Sequence, residues 1–300
     1  MFISKEHKAN TIKYKIFGIT IWKIKKRSKG SYGMKTILQE YSGINFDNNK
    51  LEIQHGWTPL NGAIPNDLKK QDIKVIFAWN ERYKQDWDKN SKIPCYILGA
   101  PFVHYRQMNN IVQNTNAKGT LAFPAHNTKT LKAEYDIDKY CEALRSLPEE
   151  FHPITISLHM VDIDTYHLDK EYEKRGFKTV CAGLDVQRPF YEVFYDNLRK
   201  YKYTTSNVPG SYTFYSVEMD IPFFILGELP YSDNSNGKDK NTEAGIGNIT
   251  YYTYGKKAYE LFYNKDKCKI TKEQKDFVVS ELGLNNCITK EKLISVLRNL

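Results

Sequence analysis

The stretch KYTTSNVPGSYTFYSVEMDIPFFILG, residues 202–227, reads as strand, turn, helix and strand in immediate succession. KYTTSN (202–207) is aromatic and β-branched. VPGSYTFYSVEMD (208–220) opens a helix behind a Pro-Gly-Ser turn, and IPFFILG (221–227) is a short continuous apolar run closed by glycine. Apolar strands linked by helices of this kind describe a parallel sheet covered on both faces. Working back from this stretch, GTLAFPA (119–125), ITISLHMV (154–161) and FKTVCAG (177–183) are further strands. The segments at 137–147, 168–176 and 190–201 are the helices between them, the second ending in a glycine suited to a C-cap.

The first half carries the same theme: a short helix from Met34 to about Gly43, then strands LEIQ (51–54), IKVIFAW (73–79) and PCYILGA (94–100), with helix-compatible segments around 80–90 and 102–114. The polar segment NTNAKG (114–119) is the expected boundary. The fold class expected is therefore α/β, two Rossmann-like halves whose parallel sheets face a cleft. The expected division is a basic segment 1–30, an acceptor-side domain 31–116, a nucleotide-donor domain 117–270 and C-terminal helices 271–300. The Gly- and Asn-rich stretch 231–250 reads as a mobile loop, and TKEQKDFVVSELGL and TKEKLISVLRNL as a helical hairpin packed back on the body.

The 300 residues hold 44 Lys and Arg against 35 Asp and Glu, a net charge of +9. Nine of those bases fall in residues 1–30 beside the single acid Glu6, so that segment carries +8 and the remainder only +1. A nucleic-acid-binding protein would need a basic face on the folded body, so no nucleic-acid partner is expected. The segment NTIKYKIFGITIWKIKKRSKG, from Asn10, mixes lysines with isoleucines and a tryptophan, which suits either an edge hairpin guarded by lysines or docking on an anionic membrane surface. No apolar run approaches the ~18–20 residues of a membrane span, and no signal-peptide pattern opens the chain, which points to an intracellular protein. Five scattered cysteines without a CxxC pair read as buried thiols.

Candidate chemistry gathers where strands end. Ser206, Asn207, Gly210 and Ser211 sit between a strand and a helix, where backbone N–H groups can meet a phosphate; the alternative is an ordinary capped helix with Ser211 or Asn207 as N-cap. FPAHNTKT places His126, Asn127 and Thr128 after one strand, and SLHMVDID places His159 and Asp162 after another. The next strand end could add Asp185, Gln187 or Arg188. In the first half, QHGWTPLNG puts His55 at a strand end facing the cleft, where a neutral imidazole could take a proton from an attacking hydroxyl. Glu81 or Asp86 could serve instead. No two histidines are four apart and no P-loop, GxGxxG or GxSxG motif occurs, so no fixed metal and no bound cofactor are expected. The DID string at 162–164 is a weak invitation to a metal-dependent sugar transferase.

QHGW in the first half, with FPAHNT, SNVPGSYTFYS and IPFFILG in the second, resembles bacterial surface-polysaccharide transferases of the GT-B type. The run KIFGITIWKIKKR is similar to the openings of short capsule and lipooligosaccharide transferases, and the His-Gly loop to that of teichoic-acid glycerophosphotransferases. The resemblance implies a nucleotide-sugar donor, or one carrying a polyol phosphate, and a glycan or lipid-linked acceptor. It implies His55 as base and His126, Asn127, Thr128, Ser206, Asn207, Gly210 and Ser211 around the nucleotide phosphates, with His159 joining them from the strand-end reading alone. A peripheral place on the inner face of the cytoplasmic membrane follows from the same likeness, and a noncatalytic, transferase-like binding subunit is the alternative.

Overall fold

The computed structural model describes residues 3–8, 11–16, 19–25, 31–59, 72–128, 132–185, 188–233, 249–263 and 266–300. An N-terminal antiparallel meander, β1 (Ile3–Lys8), β2 (Thr11–Ile16) and β3 (Ile19–Lys25), precedes α1 (Met34–Ser42). The first half is then β4 (Leu51–Ile53), β5 (Val75–Ala78), α2 (Glu81–Asn90), β6 (Cys95–Ile97) and α3 (Pro101–Met108), its three strands parallel in the order β4-β5-β6. The second half runs β7 (Thr120–Ala122), β8 (Lys132–Glu134), α4 (Ile137–Arg145), β9 (Ile154–Ser157), α5 (Met160–Asp164), α6 (Leu168–Lys174) and β10 (Lys178–Val180). It continues with α7 (Phe190–Leu198), β11 (Tyr203–Ser206), α8 (Ser211–Glu218), β12 (Phe223–Ile225) and β13 (Tyr231–Asp233). Helices α9 (Thr253–Phe262), α10 (Lys272–Glu281) and α11 (Lys290–Arg298) close the chain.

The second sheet is parallel throughout, in the order β10-β9-β7-β11-β12. Numbered by their place in that sheet the strands read 3-2-1-4-5, the doubly wound order, whose direction of winding reverses between β7 and β11. The α/β class, the two parallel sheets and the helical tail are thus as expected, and the strands of those two sheets fall within the segments read from sequence. Other elements, the short strand β8 among them, were not anticipated. Residues 158–164 turn into α5 where a longer strand was read; Tyr231–Asp233, read as loop, pairs antiparallel with β8; and α9 had no assignment. Residues 234–248, the rest of that expected loop, lie outside the described residues.

Helix α8 holds the halves together. Thr213, Phe214, Tyr215, Ser216, Val217 and Glu218 are all buried, so it is enclosed on every side, as a helix inside a core must be. Its Phe214 meets Trp57 at 4.8 Å and Phe277 of α10 at 5.9 Å; its Tyr215 stacks on Phe102 of α3 at 5.3 Å. One apolar cluster runs from Leu51, Phe77 and Trp79 of the first sheet through α8 to Leu121, Phe223 and Ile225 of the second.

Two buried ion pairs reinforce this. Arg106 of α3 reaches Glu218 of α8 (Nε–Oε2 2.7 Å). Arg82 of α2 meets Glu281 at the end of α10 (Nη2–Oε2 2.6 Å), and Glu281 also accepts the Trp57 indole N–H at 2.6 Å. The tail reaches the first sheet at Gly283, whose φ of +69° and approach to the Trp79 carbonyl leave no room for a Cβ. Removing one partner of a buried pair leaves the other charge uncompensated, at a cost of ~3–5 kcal/mol. Arg82→Met is therefore expected to lower stability by about 3 kcal/mol in urea unfolding. A loss under 1 kcal/mol would show that Glu281 finds solvent when its partner is gone.

Candidate functional site in the cleft between the sheets

A cleft of about 620 Å³ opens where the carboxyl ends of both sheets meet. His55 to Pro59 follow β4, Phe123 to His126 follow β7, His159 follows β9, Ala182 follows β10 and Val208 to Ser211 follow β11. Its second-half wall includes the switch point between β7 and β11, where ligands of doubly wound sheets bind.

The His55 loop is fixed from four directions. Gln54 accepts the Trp79 N–H on its side-chain oxygen at 2.7 Å and donates its amide to the Gly56 carbonyl at 2.9 Å. Trp57 donates its backbone N–H to Ser211 Oγ at 3.0 Å, and the Thr58 carbonyl accepts from Arg82 and Tyr83. The His55 imidazole lies open in the cleft, with its ring 5.0 Å from that of Tyr32 and no hydrogen bond to any described residue. Burial among the cleft walls lowers its pKa, and Glu52 opposes this. The ring is therefore neutral at pH 7 with a lone pair available.

His126 projects from the end of β7, its ring 4.8 Å from that of His159. It is enclosed by the walls yet open to the cleft's own water. Enclosure first, then repulsion from His159 and His55, pull its pKa down to about 4. His159 caps α5: its Nδ1 accepts the Val161 N–H at 3.2 Å, and its Nε2 lies 3.0 Å from Tyr32 Oη. Burial depresses its pKa against the pull of Asp162.

The other expected site residues divide by position. Thr128, Gly210 and Ser211 line the cleft. Asn127, Ser206 and Asn207 do not; they are buried beneath it. Asn127 donates to Asp162 Oδ1 from its backbone and side chain (2.9 and 2.8 Å), and Asn207 Oδ1 accepts the Ala125 N–H at 2.8 Å. His126 thus hangs between two asparagine anchors. Ser206 Oγ binds the Tyr212 hydroxyl at 2.9 Å and the Val208 N–H at 3.1 Å, holding the turn into α8. The N-cap of that helix is Gly210 and not Ser211 or Asn207; a Cβ there would lie 2.8 Å from the Tyr212 ring. The N–H groups of Ser211 and Tyr212 precede the first intrahelical bonds, at the positive end of the helix dipole.

Glu81 and Asp86 lie on α2 away from the cleft wall, and Arg188 pairs with Asp196 outside it. Gln187 is outside the described residues. Asp162 is spent on Asn127 and on the His159 N–H, so the DID string is part of the frame. No group of three His, Cys, Asp or Glu among the described residues is placed to hold a metal ion. Among described residues lining the cleft there is no Asp, Glu, Lys or Arg. Tyr32 was missed in the sequence. Its ring packs on Phe190 at 4.6 Å, and its φ of 52° costs ~1 kcal/mol or more for a residue with a Cβ.

No known sequence family matches the chain, and no curated protein is similar to it. Among solved structures it is similar to the wall teichoic acid polymerase TagF, at TM-score 0.38 and 11% identity over 76% of this chain and 58% of that one. A CDPG-soaked variant of TagF with a histidine replaced by asparagine gives 0.38 and 10%, over 86% of this chain and 63% of that one. A histidine-to-alanine variant gives 0.37 and 11%, over 78% and 60%. The chain spans less than two thirds of the length of those structures. The architecture described above stands on this chain's own strand order.

Each of the three cleft histidines has a folded pKa below its unfolded value of about 6.5, so the unfolded chain binds more protons in that interval. Stability contributed this way is complete above pH 6.5 and is lost as pH falls toward 4, the His126 value. Asp162, raised by burial, acts in the opposite sense, its contribution fading as pH rises from the ordinary carboxyl value of 3.8. His126→Asn is expected to flatten the rise of Tm with pH between 4 and 6.5. Identical slopes for the variant and the parent would mean that His126 titrates normally.

Proposed function

We propose that the chain is a transferase that moves a sugar, or a polyol phosphate, from a nucleotide-activated donor to a hydroxyl of a bacterial surface glycan or its lipid-linked precursor. The observation that carries this reading is the neutral His55 imidazole, without a hydrogen bond among the described residues, set against the N-terminus of α8 in a cleft built from the carboxyl ends of two parallel sheets. The two groups match the two charges such a reaction develops. As the acceptor oxygen attacks the electrophilic carbon or phosphorus, His55 takes the hydroxyl proton, and the bond to the nucleotide phosphate breaks. The departing phosphate carries away the electron pair, and its negative charge falls to the amides of Ser211 and Tyr212 and the α8 dipole. The aromatic wall of Phe102, Phe123 and Phe190 limits competing water.

His55 is favoured over a carboxylate because none of the described cleft-lining residues is an acid. Thr128, Gly210 and Ser211 would contact the donor, with Asn127, Ser206 and Asn207 holding them in place.

The basic N-terminal segment is proposed to hold the enzyme at an anionic membrane, on its cytoplasmic face, where lipid-linked acceptors are found. The excess of bases in that segment, nine against one acid in residues 1–30, supports this. Among the described residues no helix is long and apolar enough to cross a membrane.

A thermal-shift screen against CMP-, UDP-, GDP- and CDP-linked donors is expected to show stabilisation by one nucleotide class. With that donor, His55→Ala is expected to lower turnover by about 10²–10⁴-fold while keeping the thermal shift. Near-normal turnover would remove His55 from the base role, and stabilisation without turnover in the parent would favour the binding subunit. Co-sedimentation with phosphatidylglycerol vesicles is expected to be strong in low salt and weak in high salt. Equal binding to neutral vesicles would refute the electrostatic anchor.

A further inference from the structure

The cleft holds a hydroxyl whose proton finds no acceptor among the described residues. His159 Nδ1 accepts the Val161 N–H, so the neutral ring carries its proton on Nε2. That nitrogen is 3.0 Å from Tyr32 Oη and donates to it, which occupies the tyrosine as an acceptor and obliges it to send its own proton elsewhere. No described residue receives it. Tyr32 lines the cleft, its ring wedged between His55 of the first half and His159 of the second, against Phe190. The backbone is built for this position. Tyr32 and Gly33 adopt left-handed conformations in succession (φ 52° and 87°), and a Cβ on Gly33 would come within 2.7 Å of the Tyr191 ring, so the pair is locked from behind.

We propose that Tyr32 is a ligand-contacting residue whose hydroxyl, aimed by His159, donates a hydrogen bond to a phosphate oxygen of the donor. This rests on the transferase reading and adds a contact to it. Burial raises the pKa of the phenol, so it stays a neutral donor in the working range. The described cleft wall offers no cation, so the oxygens of a phosphate must be met by neutral donors, and Tyr32 supplies one in addition to the amides at the start of α8.

The test is a titration of the full chain, labelled with ¹⁵N-histidine, with inorganic pyrophosphate, and in parallel with glycerol. The parent should show His159 as the Nε2–H tautomer, its ring signals moving as pyrophosphate binds. Tyr32→Phe keeps the ring and should weaken pyrophosphate binding about 10- to 100-fold, the worth of a hydrogen bond to a charged group, with an unchanged unfolding midpoint and no change toward glycerol. His159→Gln should weaken it less, and the double variant should be no weaker than Tyr32→Phe alone. Unchanged pyrophosphate affinity in Tyr32→Phe overturns the proposal, as does a parent that does not bind pyrophosphate. If Tyr32→Phe does not fold, unchanged affinity in His159→Gln overturns it in its place. Donor turnover separates the two readings. Turnover with Tyr32-independent binding sinks only this contact; Tyr32-dependent binding without turnover sinks only the transfer.

Discussion

The enclosure of α8 is the constraint from which the rest follows. A helix buried on all sides has no face to offer water, so both sheets close over it, and the first half is held to the second by the same residues that form their common core. Its two ends then acquire opposite duties. The C-terminal end is tied down by Arg106 on Glu218 and by Lys275 on the Val217 carbonyl and Asp220. The N-terminal end, from Gly210 to Tyr212, lines the cleft. Ser211 completes the arrangement by accepting the Trp57 N–H, which sets the His55 loop in register with the helix end. A neutral imidazole and a helix N-terminus are thereby placed across one space by packing that would be needed for stability alone.

The strands were readable because parallel strands buried on both faces are short unbroken apolar runs: VIFA in β5, FFI in β12 and the ITI of β9 need no partner to be recognised. The strand ends were readable for the same reason, which is why His55, His126 and Gly210 fall where expected. Sequence could not tell which strand-end residues face the ligand and which face inward. Once the chain leaves a strand its alternation lapses, so the sequence does not show that Asn127 bonds Asp162 or that Asn207 Oδ1 accepts the Ala125 N–H beneath the cleft. Tyr32 was hidden more deeply. Its surroundings, SYGMK, carry no motif, and its meaning comes wholly from three residues distant in sequence: His55, His159 and Phe190. The β8–β13 ribbon joins segments about a hundred residues apart, which local patterns do not report.

The charge distribution carries the same division between scaffold and site. Paired charges inside the fold, Arg82 with Glu281 and Arg106 with Glu218, stand at the joints between the halves and away from the cleft wall. The unbalanced charge lies in the first thirty residues, ahead of Tyr32. The described wall of the cleft is left with imidazoles, hydroxyls and amides. In such a wall burial comes first in keeping the imidazoles neutral, and neighbouring rings add to it: His159 and His55 lower the pKa of His126 further, and His55 lowers that of His159.

An anion entering that space changes the balance. Under the proposed function, with no fixed cation among the described lining residues, a phosphate in the cleft would be held by neutral donors, and its negative charge would raise the pKa of every imidazole near it. His159 is the least free to respond, since protonating Nδ1 would set two N–H groups against each other at the start of α5. His55, without such a commitment, can accept a proton more readily once the anion is bound. A ring that is a weak base in the empty cleft becomes a stronger one in the loaded cleft, so the substrate's own charge prepares the group that is proposed to activate the acceptor.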